Sequence, residues 1–207
     1  MLISTLFIVA DEPAVHNALS ALCKQAKLHY EILTTAEAFL ARFDPEHPGC
    51  LLLDMSLPGM SGGKFHKILA QRKSVIPVII LTNQSDPRSA MEMLKDGALD
   101  FFEKPFEGEA LLNAVKHAME MDSANRHVLR LRSEGRQRFA QLTRREREIM
   151  GSILEGKSSR EIATQLSISA RTVESHRARI KRQMGAATPV ELMRIFTIAC
   201  GCHCIRR

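Results

Sequence analysis

Residues 51–62 read LLLDMSLPGMSG, three leucines that end on a carboxylate and then a turn rich in Pro, Gly and Ser. A short apolar run closed by turn residues is the pattern of a strand buried on both faces, so Asp54 is set at the carboxyl end of a strand. The chain repeats the pattern on either side. FIVADEP at 7–13 leads into Asp11 and Glu12, VIILT at 78–82 ends on Thr82, and GALDFFEKPF at 97–106 leads into Lys104. Segments of helical period lie between these runs. The spacing predicts strands near 4–10, 29–33, 50–54, 76–82 and 98–102, and helices near 13–26, 35–43, 62–72, 87–96 and 106–121. This is the βα alternation of a parallel sheet covered by helices. In such sheets chemistry gathers at the carboxyl ends of the strands, where Asp11, Glu12, Asp54, Thr82 and Lys104 stand.

The whole chain has 207 residues, 45% hydrophobic and 25% charged, which is ordinary for a globular protein. The formal charge of +6 is unevenly spread, because Arg and Lys crowd residues 126–182 while acids cluster around the N-terminal motifs. The C-terminal part is therefore expected to meet a polyanion. LISTLFIVA at 2–10 is short, has no basic segment before it and runs into Asp11, so it reads as a strand and not as a signal peptide. No apolar run reaches the ~18 residues of a membrane span, and a cytoplasmic protein with no membrane partner is expected. Five cysteines without a regular framework fit a reducing compartment. Cys23 and Cys50 lie in apolar runs and read as core. The tail CGCHCIRR at 200–207 brings Cys200, Cys202, His203 and Cys204 together, but more tightly than the C-x₂₋₄-C pairs of structural zinc sites. It reads as a frayed end, with a metal or thiol sensor as the rival.

Residues 122–141 are polar and charged, a helical linker that continues the fifth helix, with a break or bend expected at Gly135. A dimer seam is the second reading of its sparse apolar residues. Beyond it, capping-box pairs mark three helix starts: Thr143 with Glu146, Ser158 with Glu161, and Thr188 with Glu191, the last with Pro189 at the first helical position. A further helix starts at Ser169, and the short turn from Leu166 to Ser169 joins two helices as a helix-turn-helix requires. Four short helices make a small all-α domain at 142–199.

Two carboxylates and a lysine at neighbouring strand ends suit a divalent cation and a phosphoryl group: Mg²⁺ takes a few carboxylates with phosphate oxygens, and the lysine offsets the transferred charge. FIVADEP, LLLDMSLPGMSG, VIILT and GALDFFEKPF, in this order and spacing over residues 1–121, resemble the receiver domain of response regulators. The resemblance implies a doubly wound, flavodoxin-like fold with a five-stranded parallel sheet. It implies that Asp54 accepts a phosphoryl group from a sensor histidine kinase, that Asp11, Asp54 and the Ser56 carbonyl hold Mg²⁺, and that Thr82 and Lys104 contact the phosphoryl oxygens. It makes Thr82 and Phe101 the switch pair, Lys104-Pro105 a cis peptide, and the last strand and helix a surface for homodimerisation on phosphorylation. Two positions depart from the family. Its first acid would fall at Ala10, a loss expected to weaken Mg²⁺ binding, and Asn83 stands where a small residue is usual. Glu12 is expected to point away from the site by strand alternation.

LTRREREIMGSILEGKSSREIATQLSISARTVESHRARIKRQMG at 142–185 resembles the LuxR-type helix-turn-helix, and with the receiver the domain order resembles the FixJ/NarL regulators, the FixJ branch above all. Read from the residues, Val173, Ile180 and Met184 form a stripe able to pack on Ile162, Ala163 and Leu166. The opposite face carries Arg171, Glu174, Ser175, Ala178 and Arg182, as a helix in the major groove would. Glu174 suits a cytosine amino group and Arg171 a guanine or phosphate, while Thr172, Arg179, Lys181 and Arg182 suit phosphates. The expected function is a DNA-binding transcription regulator of a two-component system, with double-stranded DNA, a kinase and RNA polymerase as partners. It is no enzyme beyond its own phosphoryl transfer and dephosphorylation. The rivals are a phosphorylation-independent DNA-binding regulator with a degenerate receiver, and a phosphotransferase acting on a separate substrate, against which the basic domain argues.

Overall fold

The computed structural model describes residues 3–72, 74–83 and 87–200, and falls into two compact units, Met1–Arg126 and His127–Arg207. In the first, strands β1 (Thr5–Val9), β2 (Tyr30–Leu33), β3 (Gly49–Asp54), β4 (Val78–Asn83) and β5 (Asp100–Lys104) form one parallel sheet in the order β2-β1-β3-β4-β5. Helices α1 (Pro13–Gln25), α2 (Ala36–Arg42), α3 (Gly62–Gln71), α4 (Pro87–Lys95) and α5 (Gly108–Ala140) follow the strands in turn.

The period of two along each strand divides the core. Leu6 and Ile8 of β1, Cys50 and Leu52 of β3, and Ile79 and Leu81 of β4 pack with α1 and α5 through Leu19, Cys23, Leu111 and Val115. Their neighbours Phe7, Val9, Leu51, Leu53, Val78 and Ile80 pack with α2, α3 and α4 through Phe39, Phe65 and Met93. A fully buried side chain of this size contributes roughly 1.5–3 kcal/mol.

Two strands are offset from expectation. β4 starts at Val78, after Pro77, which has no N–H to give a ladder. β5 starts at Asp100, because Gly97, at φ 102°, closes α4 and the Ala98 N–H turns back to the Met93 carbonyl at 2.9 Å. Lys104 is thus the last residue of a strand. Lys104-Pro105 is cis, as the resemblance implied.

At the opposite edge of this unit, Asp122 of α5 is fully buried and accepts from the Gly49 N–H (2.9 Å) and from Arg126 Nε (2.7 Å). Arg126 also donates to the Pro45 carbonyl at 2.6 Å.

The second unit comprises the last part of α5 with α6 (Arg144–Leu154), α7 (Ser159–Leu166), α8 (Ala170–Met184) and α9 (Pro189–Cys200). α6 and α7 start with the expected capping boxes, Thr143 with Glu146 and Ser158 with Glu161. The third box is only half built: Thr188 Oγ1 accepts from the Glu191 N–H, but the Glu191 carboxylate takes the Ala187 N–H at 2.9 Å instead of that of Thr188. Val173, Ile180 and Met184 share a core with Ile162, Ala163, Ile149 and Leu192, with Leu166 packed against it.

The break expected at Gly135 is absent, since α5 runs through it. A Cβ at 135 would lie 2.6 Å from Ala199 Cβ, so the glycine gives α9 room to approach and does not interrupt the helix. Cys23 and Cys50 are buried core thiols, as expected. The side chains of the cysteine-rich tail from Cys200 lie outside the described residues. Among the described residues no helix is long and apolar enough to cross a membrane.

Candidate functional site

β3 delivers Asp54 to the carboxyl edge of the sheet with its side chain only 1% exposed. One carboxylate oxygen, Oδ1, accepts the Ser56 N–H at 3.0 Å across the turn that follows the strand. The other, Oδ2, is 2.5 Å from Lys104 Nζ. Lys104 pairs in register with Asn83 on β4 and reaches from β5 past that strand to β3. Its ammonium has a second partner, Glu12 Oε1 at 2.7 Å. Burial alone would lower the Lys104 pKa, but the hydrogen bonds and charges of Asp54 and Glu12 carry it above the ordinary lysine value.

The contact of Glu12 with Lys104 overturns the expectation that this residue points away. β1 ends at Val9, so the alternation of faces no longer applies at position 12. Glu12 is the residue capping α1, yet its side chain makes no cap bond. The carboxylate is therefore available to the lysine. Ala10 is fully buried in the core shared with α1 and α5, and its carbonyl contacts His16 Nε2 at 2.7 Å.

Asp11 is exposed in the same loop. The oxygens of Asp11, Asp54 and the Ser56 carbonyl are hard donors in a setting that leaves most of a coordination sphere to water and phosphate, which fits Mg²⁺. Thr82 is buried, with its Oγ1 turned to the Asn83 carbonyl at 3.2 Å and not to the Asp54–Lys104 pair. Asn83 Nδ2 donates to Ser56 Oγ at 3.2 Å, so this unusual residue ties the β4 end to the loop after β3. Ser56, Thr82 and Asn83 line one side of a cavity of about 390 Å³ whose other wall includes Lys67, Met93 and Asp96. Phe101 stands opposite Ile80 in register and packs, half-buried, against the α2–α4 side of the core.

The second charged surface lies on α8. α7 ends in Ser167, in the left-handed region at φ 53°, and Ser169 caps α8 by accepting the Thr172 N–H at 3.0 Å. Arg171, Thr172, Glu174, Ser175, Ala178, Arg179 and Arg182 are exposed, while Lys181 is half-buried in a recess with Arg177 and Pro189. Several of these side chains already have partners. Ser159 Oγ donates to Glu174, Ser175 Oγ donates back to the Arg171 carbonyl at 3.1 Å, and Thr172 Oγ1 is 2.8 Å from Ser169 Oγ. Arg179 Nε lies 3.0 Å from Glu146 Oε1 of α6. Sequence reading turned Glu12 the wrong way and missed the Asn83–Ser56 tie and the Glu146–Arg179 pair.

Residues 6–116 match the family described as response regulator receiver domain, and residues 140–196 match the bacterial regulatory proteins of the luxR family. The response regulator protein TodT of Pseudomonas putida is 33% identical over 192 residues, 93% of this chain and 85% of that protein. The transcriptional regulatory protein FixJ of Azorhizobium caulinodans is 35% identical, covering 93% and 91%. Among solved structures, the response regulator StyR aligns with a TM-score of 0.86 at 31% identity over 93% of this chain and 98% of that one. Full-length FixJ from B. japonicum aligns at 0.58 and 29% identity, over 96% and 98%. A receiver sheet, a LuxR-type helical unit and relatives matched over nearly their whole length place this chain in the family of two-component response regulators that carry a LuxR-type DNA-binding domain.

Proposed function

We propose that Asp54 is the phosphoryl acceptor and that its phosphorylation by a sensor histidine kinase promotes dimerisation and DNA binding. The observation that carries this reading is the buried Asp54 carboxylate with Lys104 Nζ at 2.5 Å, at the carboxyl edge of a parallel sheet. An Asp54 oxygen attacks phosphorus, the bond from phosphorus to the donor histidine nitrogen breaks, and the electron pair stays on the imidazole. Asp11, Asp54 and the Ser56 carbonyl would hold Mg²⁺, which when bound neutralises charge on the phosphoryl oxygens. Lys104 has one N–H beyond those given to Asp54 and Glu12, and that N–H is free to follow a phosphoryl oxygen. Thr82 can leave the Asn83 carbonyl to donate to another, which vacates space for Phe101 to turn inward. The surface of β5 and α5 changes with it, and a homodimer forms there. The receiver catalyses only its own phosphoryl transfer and dephosphorylation.

The organisation we propose is a receiver at 1–121, a helical linker at 122–141, the DNA-binding domain at 142–199 and a tail at 200–207. A dimer presents two copies of α8 to two half-sites in double-stranded DNA. Arg171 and Glu174 read base edges, with Ser175 and Ala178 close to the groove floor. Thr172, Arg179, Lys181 and Arg182 engage phosphates, and RNA polymerase is the downstream partner in the cytoplasm.

Intact-protein mass spectrometry after treatment with acetyl phosphate tests the reading. One phosphoryl group should be gained, only with Mg²⁺ and not by Asp54→Asn. A second reading, a phosphorylation-independent regulator, draws on Ala10, which places a buried methyl where the family has an acid, and on Asn83, which is tied to Ser56 where the family has a small residue. Absence of labelling under conditions that label another receiver would favour it.

A further inference from the structure

Glu146 is the residue of the second unit whose chemistry the helix cap does not exhaust. Its Oε2 closes the capping box, accepting Thr143 N–H and Thr143 Oγ1–H at 2.8 Å each. A carboxylate that only capped α6 could leave its other oxygen in water. Glu146 is instead 3% exposed, and Oε1 faces Arg179 Nε at 3.0 Å. Arg179 lies one turn beyond Ser175 on α8, and its side chain remains 65% exposed. Nε is the inner nitrogen of the guanidinium, so a carboxylate bound there fixes the plane of the group and leaves the outer pair of nitrogens directed to solvent. A planar fork fixed in this way is the geometry that takes two phosphate oxygens at once.

We propose that Glu146 is a positioning residue for DNA binding, holding the Arg179 guanidinium so that its outer nitrogens grip one backbone phosphate beside the groove occupied by α8. The inference rests on α8 being the DNA-contact helix and adds how one of its arginines is oriented, and from where. The ion pair also joins α6 to α8, so the first helix of the domain sets the aim of a side chain on the third. Glu146 keeps its charge throughout the physiological range: the Thr143 backbone hydrogen bond, outweighing burial, and the Thr143 hydroxyl and Arg179 hold its pKa below the usual glutamate value. In water the pair would leave Arg179 neutralised. Close to DNA the much stronger field of the phosphates adds to the arginine a partner on the side that Glu146 does not cover.

The test uses the full chain and a fluorescent DNA duplex of random sequence, with affinity measured across a series of salt concentrations. Arg179→Ala should lower the slope of log affinity against log salt by about 0.9, the loss of one phosphate contact. Glu146→Gln keeps an oxygen for the Thr143 cap and presents an amide to Arg179. It should lower affinity about threefold or more and reduce the slope in the same direction, with no further loss when combined with Arg179→Ala. Arg179→Lys, which keeps the charge but has no Nε donor, should fall short of the native chain. Additive losses in the double variant would assign Glu146 a purely structural role and overturn the proposal. So would wild-type affinity in Glu146→Gln or Arg179→Lys. Tighter binding in Glu146→Gln would mean that the carboxylate withholds Arg179 from DNA, which also overturns it. If native protein shows no salt-dependent binding, or Arg171→Ala and Arg182→Ala bind as well as native, the reading of α8 itself fails, and that outcome is distinguishable from the others.

Discussion

The Asp54–Lys104 pocket and the outer face of α8 are both built from charged side chains, and they handle charge in opposite ways. In the pocket, Asp54 and Lys104 are withdrawn from water and neutralise each other, with Glu12 as a half-exposed third member. On α8, Arg171 and Arg182 project into solvent. For the pocket to take up a divalent cation and a phosphoryl group, as proposed, it has to hold its charges in place before they arrive, and burial does that at a cost in desolvation. A surface that meets DNA gains from charges left in water until contact, because the ions released from DNA supply the affinity. Substitutions in the pocket should therefore change stability, while those of Arg171 and Arg182 on α8 should change binding and leave stability alone.

The largest effect is expected for Lys104→Met. It leaves the Asp54 carboxylate buried without its counter-charge and should cost about 3 kcal/mol in urea denaturation of the full chain. Mg²⁺ should recover more of that loss in the variant than it adds to the native protein, and labelling by acetyl phosphate should fall to background. Arg171→Ala comes next. It should weaken DNA binding by about 1–3 kcal/mol, measured by fluorescence anisotropy, while the urea midpoint stays within about 0.5 kcal/mol of native. A matched loss of stability would break the contrast.

The pocket and the buried α6 end of the Glu146–Arg179 pair behind the α8 face should also fail at opposite ends of the pH scale. Glu146 has a lowered pKa in the folded chain. The stability it contributes is present above its ordinary value of about 4.5 and is lost as pH falls through the folded one. Lys104 has a raised pKa, so its contribution is present below the ordinary lysine value and is lost in alkali as pH rises through the folded one. Denaturation curves at pH 3.5 and 7 should show a smaller acid loss in Glu146→Gln than in native protein. The smallest effect belongs to Glu12→Gln. With a side chain 46% exposed, its ion pair contributes less than about 1 kcal/mol to stability. Calorimetric titration should nevertheless show weaker Mg²⁺ binding, since one negative charge is gone from a site that already lacks an acid at Ala10.

The parts legible in the sequence were those with a periodic or chemical signature. Leu51–Leu53 running into Asp54 is apolar on both faces of a strand and so declares a buried parallel sheet, and the boxes at Thr143 and Ser158 declare helix starts, because each depends on residues a few positions apart. Glu12 was misread because strand alternation was carried three residues past Val9, where β1 had already ended. Gly135 was misread because a glycine's weak helix propensity is local, whereas its use here is the close approach of Ala199, 64 residues further along the chain. The Asp122 hydrogen bond to the Gly49 N–H was invisible for the same reason. An aspartate on a charged helix looks solvated until the fold brings a strand end beneath it. The distances that decide the site, such as Lys104 to both Asp54 and Glu12, are consequences of strand order and of β5 ending two residues later than its apolar pattern suggested.

The two core cysteines give this molecule a property unrelated to signalling. Burial pushes the Cys23 thiol up to about 11, and burial together with the Asp122 charge pushes Cys50 higher still. Reaction with maleimides and disulfides needs the thiolate and access to it, and both thiols lack both in the folded receiver. They become reactive only when that sheet opens. With Cys200, Cys202 and Cys204 replaced, timed alkylation in native buffer would act as an internal clock for opening of the first unit, blind to whatever the DNA-binding unit does, and comparing the clock with and without acetyl phosphate would report how firmly phosphorylation closes the sheet.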